Sequence, residues 1–176
     1  MTDEVLNTIG TDGLAVLLID MQDPFIWDNE EVEEIIPNQI NVLKFCKEKQ
    51  IPVIFIEYYE EGETIPRLSE VVKDFPKFQT IQKITDDPFE SSRLLSTLKE
   101  LRATKLLLMG VTAGFCIFDT ASTAIEKGYE VITSDTLITD WDRIYNENRF
   151  GKDQVEKWYM ENTTYFKNNE LVKIEK

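Results

Sequence analysis

Leu14-Ala15-Val16-Leu17-Leu18-Ile19, followed directly by Asp20, is the stretch that decides the fold. Six consecutive aliphatic residues leave no face for solvent, so the run reads as a strand buried on both sides, the habit of a central parallel strand. Outward from it, short apolar runs alternate with longer amphipathic stretches. Pro52 to Ile56, Lys105 to Met109 and Glu130 to Thr133 read as further strands, with shorter ones at Thr80 to Ile84 and Thr163 to Phe166. Helices are predicted over 30–49, 91–101, 114–127 and 152–160. In the first, Ile36, Ile40, Leu43 and Cys46 make one apolar stripe, with Pro37 as an alternative start. In the second, Leu94, Leu95, Leu98 and Leu101 share a face, and Gly128 is the expected stop of the third. Residues 62–82 read as a long excursion with a short helix near Leu68 to Lys73. Strands alternating with helices predict an α/β fold with a mainly parallel sheet.

Composition bounds the function. The chain has 176 residues, which predicts one domain over 1–176 with a core large enough to need no disulfide or structural metal. The formal net charge is −14, which disfavours nucleic acid and anionic membrane surfaces as partners. The longest aliphatic run is far too short to span a bilayer. The acidic Met1-Thr2-Asp3-Glu4 does not read as a signal peptide, and two cysteines make no disulfide framework, so a cytoplasmic location is expected. The chain has no histidine, which removes Ser-His-Asp triads, Cys-His dyads and His-ligated metal sites. A nucleophile must be served by a carboxylate, a lysine or a tyrosine. No glycine-rich nucleotide loop occurs.

In open parallel sheets ligands bind outside the carboxyl ends of the strands. Strands ending at Asp20, Gly110 and Asp135 therefore converge on one region. Cys116 follows the turn Gly110 to Phe115 and opens a helix, where the dipole and free amides favour a thiolate and could hold an oxyanion. It also reads as a buried structural cysteine, as Cys46 does. Lys83 is either a site residue or a lysine whose stem lies along the surface. Asp20 is either catalytic or a carboxylate that pins a loop. The acids Glu30, Glu31, Glu33 and Glu34 read as a solvated helix start rather than a metal site.

Together these residues resemble the isochorismatase-like cysteine hydrolases. The segment Leu17 to Phe25 is similar to that family's first motif. Lys83 with Phe89 is similar to the second, and Gly110 to Cys116, with Thr120, Ala124 and Gly128-Tyr129-Glu130-Val131 downstream, to the third. The resemblance covers about residues 13 to 136. It implies a three-layer α/β/α Rossmann-like fold and a catalytic triad of Asp20, Lys83 and Cys116. Lys83 would stabilise the thiolate, Asp20 would carry protons, and Cys116 would form a thioester. It also implies a cis peptide at Val111–Thr112, turning the Thr112 amide toward the oxyanion beside that of Cys116. No cofactor is implied, and a homo-oligomer acting on a small molecule is.

Two departures from the family pattern stand out. Ala113-Gly114 replaces the common Thr-Asp. The Asp/His metal site of the nicotinamidase branch, expected after the second strand, is replaced by Glu57-Tyr58-Tyr59-Glu60-Glu61. A metal-independent hydrolase of a small amide, ureide or carbamoyl compound is therefore expected. The alternatives are a vinyl-ether hydrolase of isochorismatase type and a catalytically silent scaffold. Phe25, Trp27, Tyr58 and Phe115 are aromatic residues near the motifs that either line a substrate pocket or pack the core.

Overall fold

A computed structural model describes residues 1–145 and 148–173. The elements run α1 (Asp3–Ile9), β1 (Leu14–Ile19), α2 (Asp23–Ile26), α3 (Glu30–Lys49), β2 (Val53–Tyr58), α4 (Pro66–Val72), β3 (Phe78–Lys83), α5 (Pro88–Ser91) and α6 (Leu94–Glu100). The second half runs β4 (Lys105–Gly110), α7 (Cys116–Glu126), β5 (Glu130–Ser134), β6 (Arg143–Tyr145), β7 (Asn148–Phe150), α8 (Lys152–Asn162), β8 (Thr164–Lys167) and β9 (Glu170–Leu171).

Seven strands form one sheet in the order β3-β2-β1-β4-β5-β8-β9. Every neighbouring pair is parallel except β8 with β9. All six residues of β1 are buried, as their unbroken aliphatic run requires. The chain first builds outward through β2 to β3, then crosses back to β4 on the other side of β1. Helices α3 and α4 pack on each other, while α7 packs on β4 and β5 and meets α5. The reversal between β1 and β4 makes the crevice above their carboxyl ends the natural ligand site. Gly110 ends β4 there with φ +127°, and an added Cβ would meet the Ile19 carbonyl oxygen, so only glycine lets the two strand ends close up.

The structure refines several sequence expectations. Pro37 lies inside α3 instead of starting it, because the Asn29 side chain accepts a hydrogen bond from the Glu31 amide and fixes the start upstream. Ile40 is only partly buried; Ile35, Gln39 and Val42 share the buried face with Ile36, Leu43 and Cys46. The helix expected over 91–101 is two pieces, α5 and α6. Ser92 adopts an extended conformation between them, and its hydroxyl accepts from the Leu94 amide. β2 runs on through Glu57 and Tyr58, and β3 starts earlier, at Phe78. Helix α1, the β6–β7 hairpin and β9 were not anticipated; all are short, and the hairpin and β9 bury little.

Candidate active site

Each strand end delivers one side chain to the crevice. Asp20 follows β1 in the left-handed region at φ +52°, a conformation aspartate tolerates better than most residues. Its amide still donates to the Ile56 carbonyl at 2.9 Å, so the residue is tied to the sheet while its chain direction turns. Lys83 is the last residue of β3, paired in register with Tyr58 of β2. Its side chain is 0% exposed, which excludes the surface-stem reading. The Lys83 ammonium lies 2.7 Å from Asp20 Oδ2. It also donates to the Asp86 carbonyl at 3.2 Å and sits 4.7 Å from the centre of the Tyr58 ring.

The Asp20 carboxylate is 2% exposed, and the Lys83 ammonium and the Cys116 thiol both face it. A carboxylate buried in a crevice beside a thiol is placed to take a proton. Burial pushes the Asp20 carboxyl above the usual range, against the opposing pull of Lys83 and of the Cys116 thiol that faces it.

Cys116 opens α7, and its hydroxyl-bearing neighbour Thr120 donates to its carbonyl at 2.6 Å. The residue is 8% exposed. Its thiol lies 3.6 Å from Asp86 Oδ1. Burial pushes the thiol pKa well up, and the Asp20 charge pushes it further, with Lys83 only partly offsetting both. Lys83 pulls the thiol toward the thiolate, as expected of it, while desolvation, which the sequence does not display, pushes the other way. Cys46, by contrast, sits among core residues, and burial alone pushes its thiol up to about 12.

The turn before Cys116 contains a cis peptide at Val111–Thr112. Among the described residues, the amides of Thr112 and Cys116 donate to no protein acceptor, and the buried Thr112 hydroxyl also lacks a partner. The turn is held from outside. The Ala113 amide donates to the Thr139 carbonyl at 2.8 Å and the Gly114 amide to the Asp140 carbonyl at 3.1 Å. The Tyr159 hydroxyl donates to the Ala113 carbonyl at 2.7 Å, and Arg143 donates to the Gly114 carbonyl at 2.6 Å. Arg143 also pairs with Asp119 at 2.8 Å and lies over the Phe118 ring. The same packing explains the glycine of the Ala113-Gly114 departure. A Cβ on Gly114 would come within 2.4 Å of the Asp142 carbonyl oxygen and 2.7 Å of that of Trp141. The main chain of 139–143 occupies the space that a side chain would need.

The aromatic candidates separate. The Phe25 ring pairs with Tyr58 at 5.8 Å between centres, one ring removed from Lys83. The Phe115 ring lies 5.5 Å from the Arg143 guanidinium. Trp27 is 84% exposed. Two residues that sequence reasoning missed, Asp86 and Arg143, complete the surroundings. Asp86 stands three positions after Lys83, just past the end of β3, so the strand-end logic that pointed to Asp20 could have found it. Arg143 lies in a stretch with no periodic signal.

The donor set after β2 does not fit the metal of the nicotinamidase branch. The Glu57 carboxylate is buried and already accepts from the Thr64 amide and hydroxyl, both at 2.8 Å. Among the described residues, no group of three Asp, Glu, Cys or His side chains could hold an ion.

A mainly parallel, Rossmann-like α/β sheet thus carries an aspartate, a lysine and a cysteine at its switch point. A model of the isochorismatase domain matches residues 14–140. The chain belongs to the isochorismatase family of hydrolases. It is 28% identical over 157 residues to isochorismatase domain-containing protein 2 of Danio rerio, covering 85% of this chain and 76% of that protein. Its fold matches the nicotinamidase of Staphylococcus aureus with a TM-score of 0.69 at 22% identity, covering 84% of this chain and 89% of the other. It matches the N-carbamoylsarcosine amidase of Thermoplasma acidophilum with a TM-score of 0.71 at 16% identity, covering 93% and 99%. Among the described residues no helix is long and apolar enough to cross a membrane.

Proposed function

We propose that the protein hydrolyses the C–N bond of a small amide, ureide or carbamoyl compound, with Cys116 as nucleophile, Asp20 as proton carrier and no metal. The observation that carries this reading is the buried Asp20 carboxylate, 2.7 Å from Lys83 and facing the Cys116 thiol. Fold relatives named as a nicotinamidase and an N-carbamoylsarcosine amidase favour the amide class over an ether.

The chemistry follows from the proton positions. The resting pair is Asp20 carboxylate and Cys116 thiol. As sulfur attacks the carbonyl carbon, the thiol proton passes to Asp20, so no free thiolate is needed beforehand. Lys83 holds Asp20 in place and keeps enough positive charge beside it for the carboxylate to exist when buried. The amides of Thr112 and Cys116, free of protein acceptors, point to the oxygen that gains charge. Asp20 then gives its proton to the leaving nitrogen, the C–N bond breaks, and a thioester on Cys116 remains. Water attacks the thioester, Asp20 takes its proton, and the thiolate leaves and recovers that proton. Carboxylic acid (or carbamate) and ammonia or amine are released. Phe25 and Phe115 flank this reaction centre as apolar walls.

The test is ammonia release from a panel of small amides and ureides, run with wild type beside Cys116→Ala. Turnover by wild type and none by the variant is the expected result. Equal ammonia release by both would remove Cys116 as the nucleophile, and release by neither would return the reading to ether chemistry.

A further inference from the structure

Asp86 puts an uncompensated charge at the mouth of the site. The residue is exposed, yet its Oδ1 lies 3.6 Å from the Cys116 sulfur and accepts from the Tyr58 hydroxyl at 3.3 Å. Its main-chain oxygen is held by Lys83 at 3.2 Å, which anchors it over the crevice. Behind it, the charges of Asp20 and Lys83 cancel. Asp119 is paired with Arg143. Asp87 is buried and committed to the Phe89 amide and the Thr123 hydroxyl. Among the described residues, no lysine or arginine lies within ion-pair distance of the Asp86 carboxylate. The Tyr58 phenol registers the result, since burial and then Asp86 push it up to about 12. With Asp20 and Lys83 cancelling, the Asp86 charge gives an incoming substrate a net negative field at the atom that attacks it.

A group on the substrate next to the acyl carbon must occupy this field. The reacting carbon has to approach sulfur to about 3–3.5 Å. A nitrogen on the adjacent carbon lies about 2.5 Å from that acyl carbon by bond geometry, within reach of a carboxylate already in contact with the sulfur. A carboxylate in that place would be repelled by Asp86, and an ammonium would be held. We propose that the substrate is a cationic amide bearing a protonated amine on the carbon next to the carboxamide, and that Asp86 selects it by charge. This inference rests on the reading that Cys116 attacks an acyl carbon.

Two measurements separate the inference from the reading beneath it. The first uses methanethiosulfonate reagents carrying an ethylammonium, a methyl or an ethylsulfonate group, with free cysteine as the reference thiol and Cys116→Ser as the blank. In wild type the cationic reagent should modify Cys116 faster than the anionic one, and Asp86→Asn should reduce that ratio about tenfold. The neutral reagent removes any change in intrinsic thiol reactivity from the comparison. A ratio that Asp86→Asn leaves unmoved overturns the charge selection. The second measures ammonia release from glycinamide, propionamide and malonamic acid. Glycinamide should lead, and Asp86→Asn should cut its kcat/KM about tenfold while leaving the rank of the other two unchanged. Cys116-dependent hydrolysis that prefers propionamide or malonamic acid overturns the substrate class but keeps the hydrolase. Charge-selective labelling with no Cys116-dependent hydrolysis of any amide overturns the hydrolase reading, and the substrate assignment falls with it.

Discussion

Replacing Lys83 by methionine keeps most of the packing of a fully buried side chain and removes its ammonium, with the ion pair to Asp20 and the hydrogen bond to the Asp86 carbonyl. At 2.7 Å, in an effective dielectric of about 20, its attraction for Asp20 is about 6 kcal/mol. The avoided cost of burying the ammonium offsets part of this, and breaking a buried pair at one partner leaves a net loss of about 3–5 kcal/mol. The loss must depend on pH. Without Lys83 the Asp20 carboxyl rises further above its unfolded value, so the folded variant holds a proton that the unfolded chain releases. Stability of the variant therefore falls as pH rises from the unfolded carboxyl pKa through the folded one, then levels off. At low pH Asp20 is protonated, and in wild type the buried ammonium then has lost its partner, so the gap between the two proteins closes. Urea unfolding followed by tryptophan fluorescence at pH 8 and pH 4.5 reads this directly. The expected penalty is about 3–5 kcal/mol at pH 8 and clearly smaller at pH 4.5. An equal penalty at both values would show that the variant acts through packing and that the pair is not the electrostatic unit described here.

Gly114→Ala drives a methyl into the main-chain oxygens of Trp141 and Asp142 and should cost about 1–3 kcal/mol by thermal melting, with activity falling in step. Arg143→Lys keeps the charge but loses the fork that reaches both Gly114 and Asp119, so kcat should drop about tenfold with little change in KM; an unchanged kcat would remove Arg143 from the support of the turn. Because Asp20 must be ionised to act, the acid limb of kcat/KM should lie above the ordinary carboxylate range near 3.9, and Asp20→Asn should lose the limb along with most activity. Activity should survive EDTA; loss on chelation restored by zinc or manganese would overturn the metal-free chemistry.

The residues that a buried parallel sheet demands were legible in the sequence. Leu14 to Ile19 could only be a central strand, and once it was, Asp20 at its end and the glycine-led turn before Cys116 had to meet above the sheet. Lys83 was harder. Its strand alternates weakly, and a lysine there is ordinarily solvated; what buries it is the Tyr58 ring and the Asp20 charge, which arrive from other strands. The pull of Lys83 on Cys116 was legible once the lysine was placed in the site, but the opposing desolvation was not, because a helix start is visible in a sequence and the depth of burial is not. Arg143 and the segment around it carry no repeating pattern, since their hold on the turn is made mostly through main-chain atoms that any residues supply. The same segment dictates Gly114, which from sequence alone looked like a missing catalytic contact.

The most direct test of the chemistry is the mass of the protein itself during turnover. Wild type is mixed with a hydrolysed amide, quenched in acid within the first turnovers, digested and analysed by mass spectrometry. The expected result is a peptide containing Cys116 heavier by the acyl group of the amide, absent from the Cys46 peptide and from Cys116→Ala. Continued ammonia release with Cys116 unmodified at every quench time, and undiminished in Cys116→Ala, would contradict the assignment of Cys116 as the nucleophile.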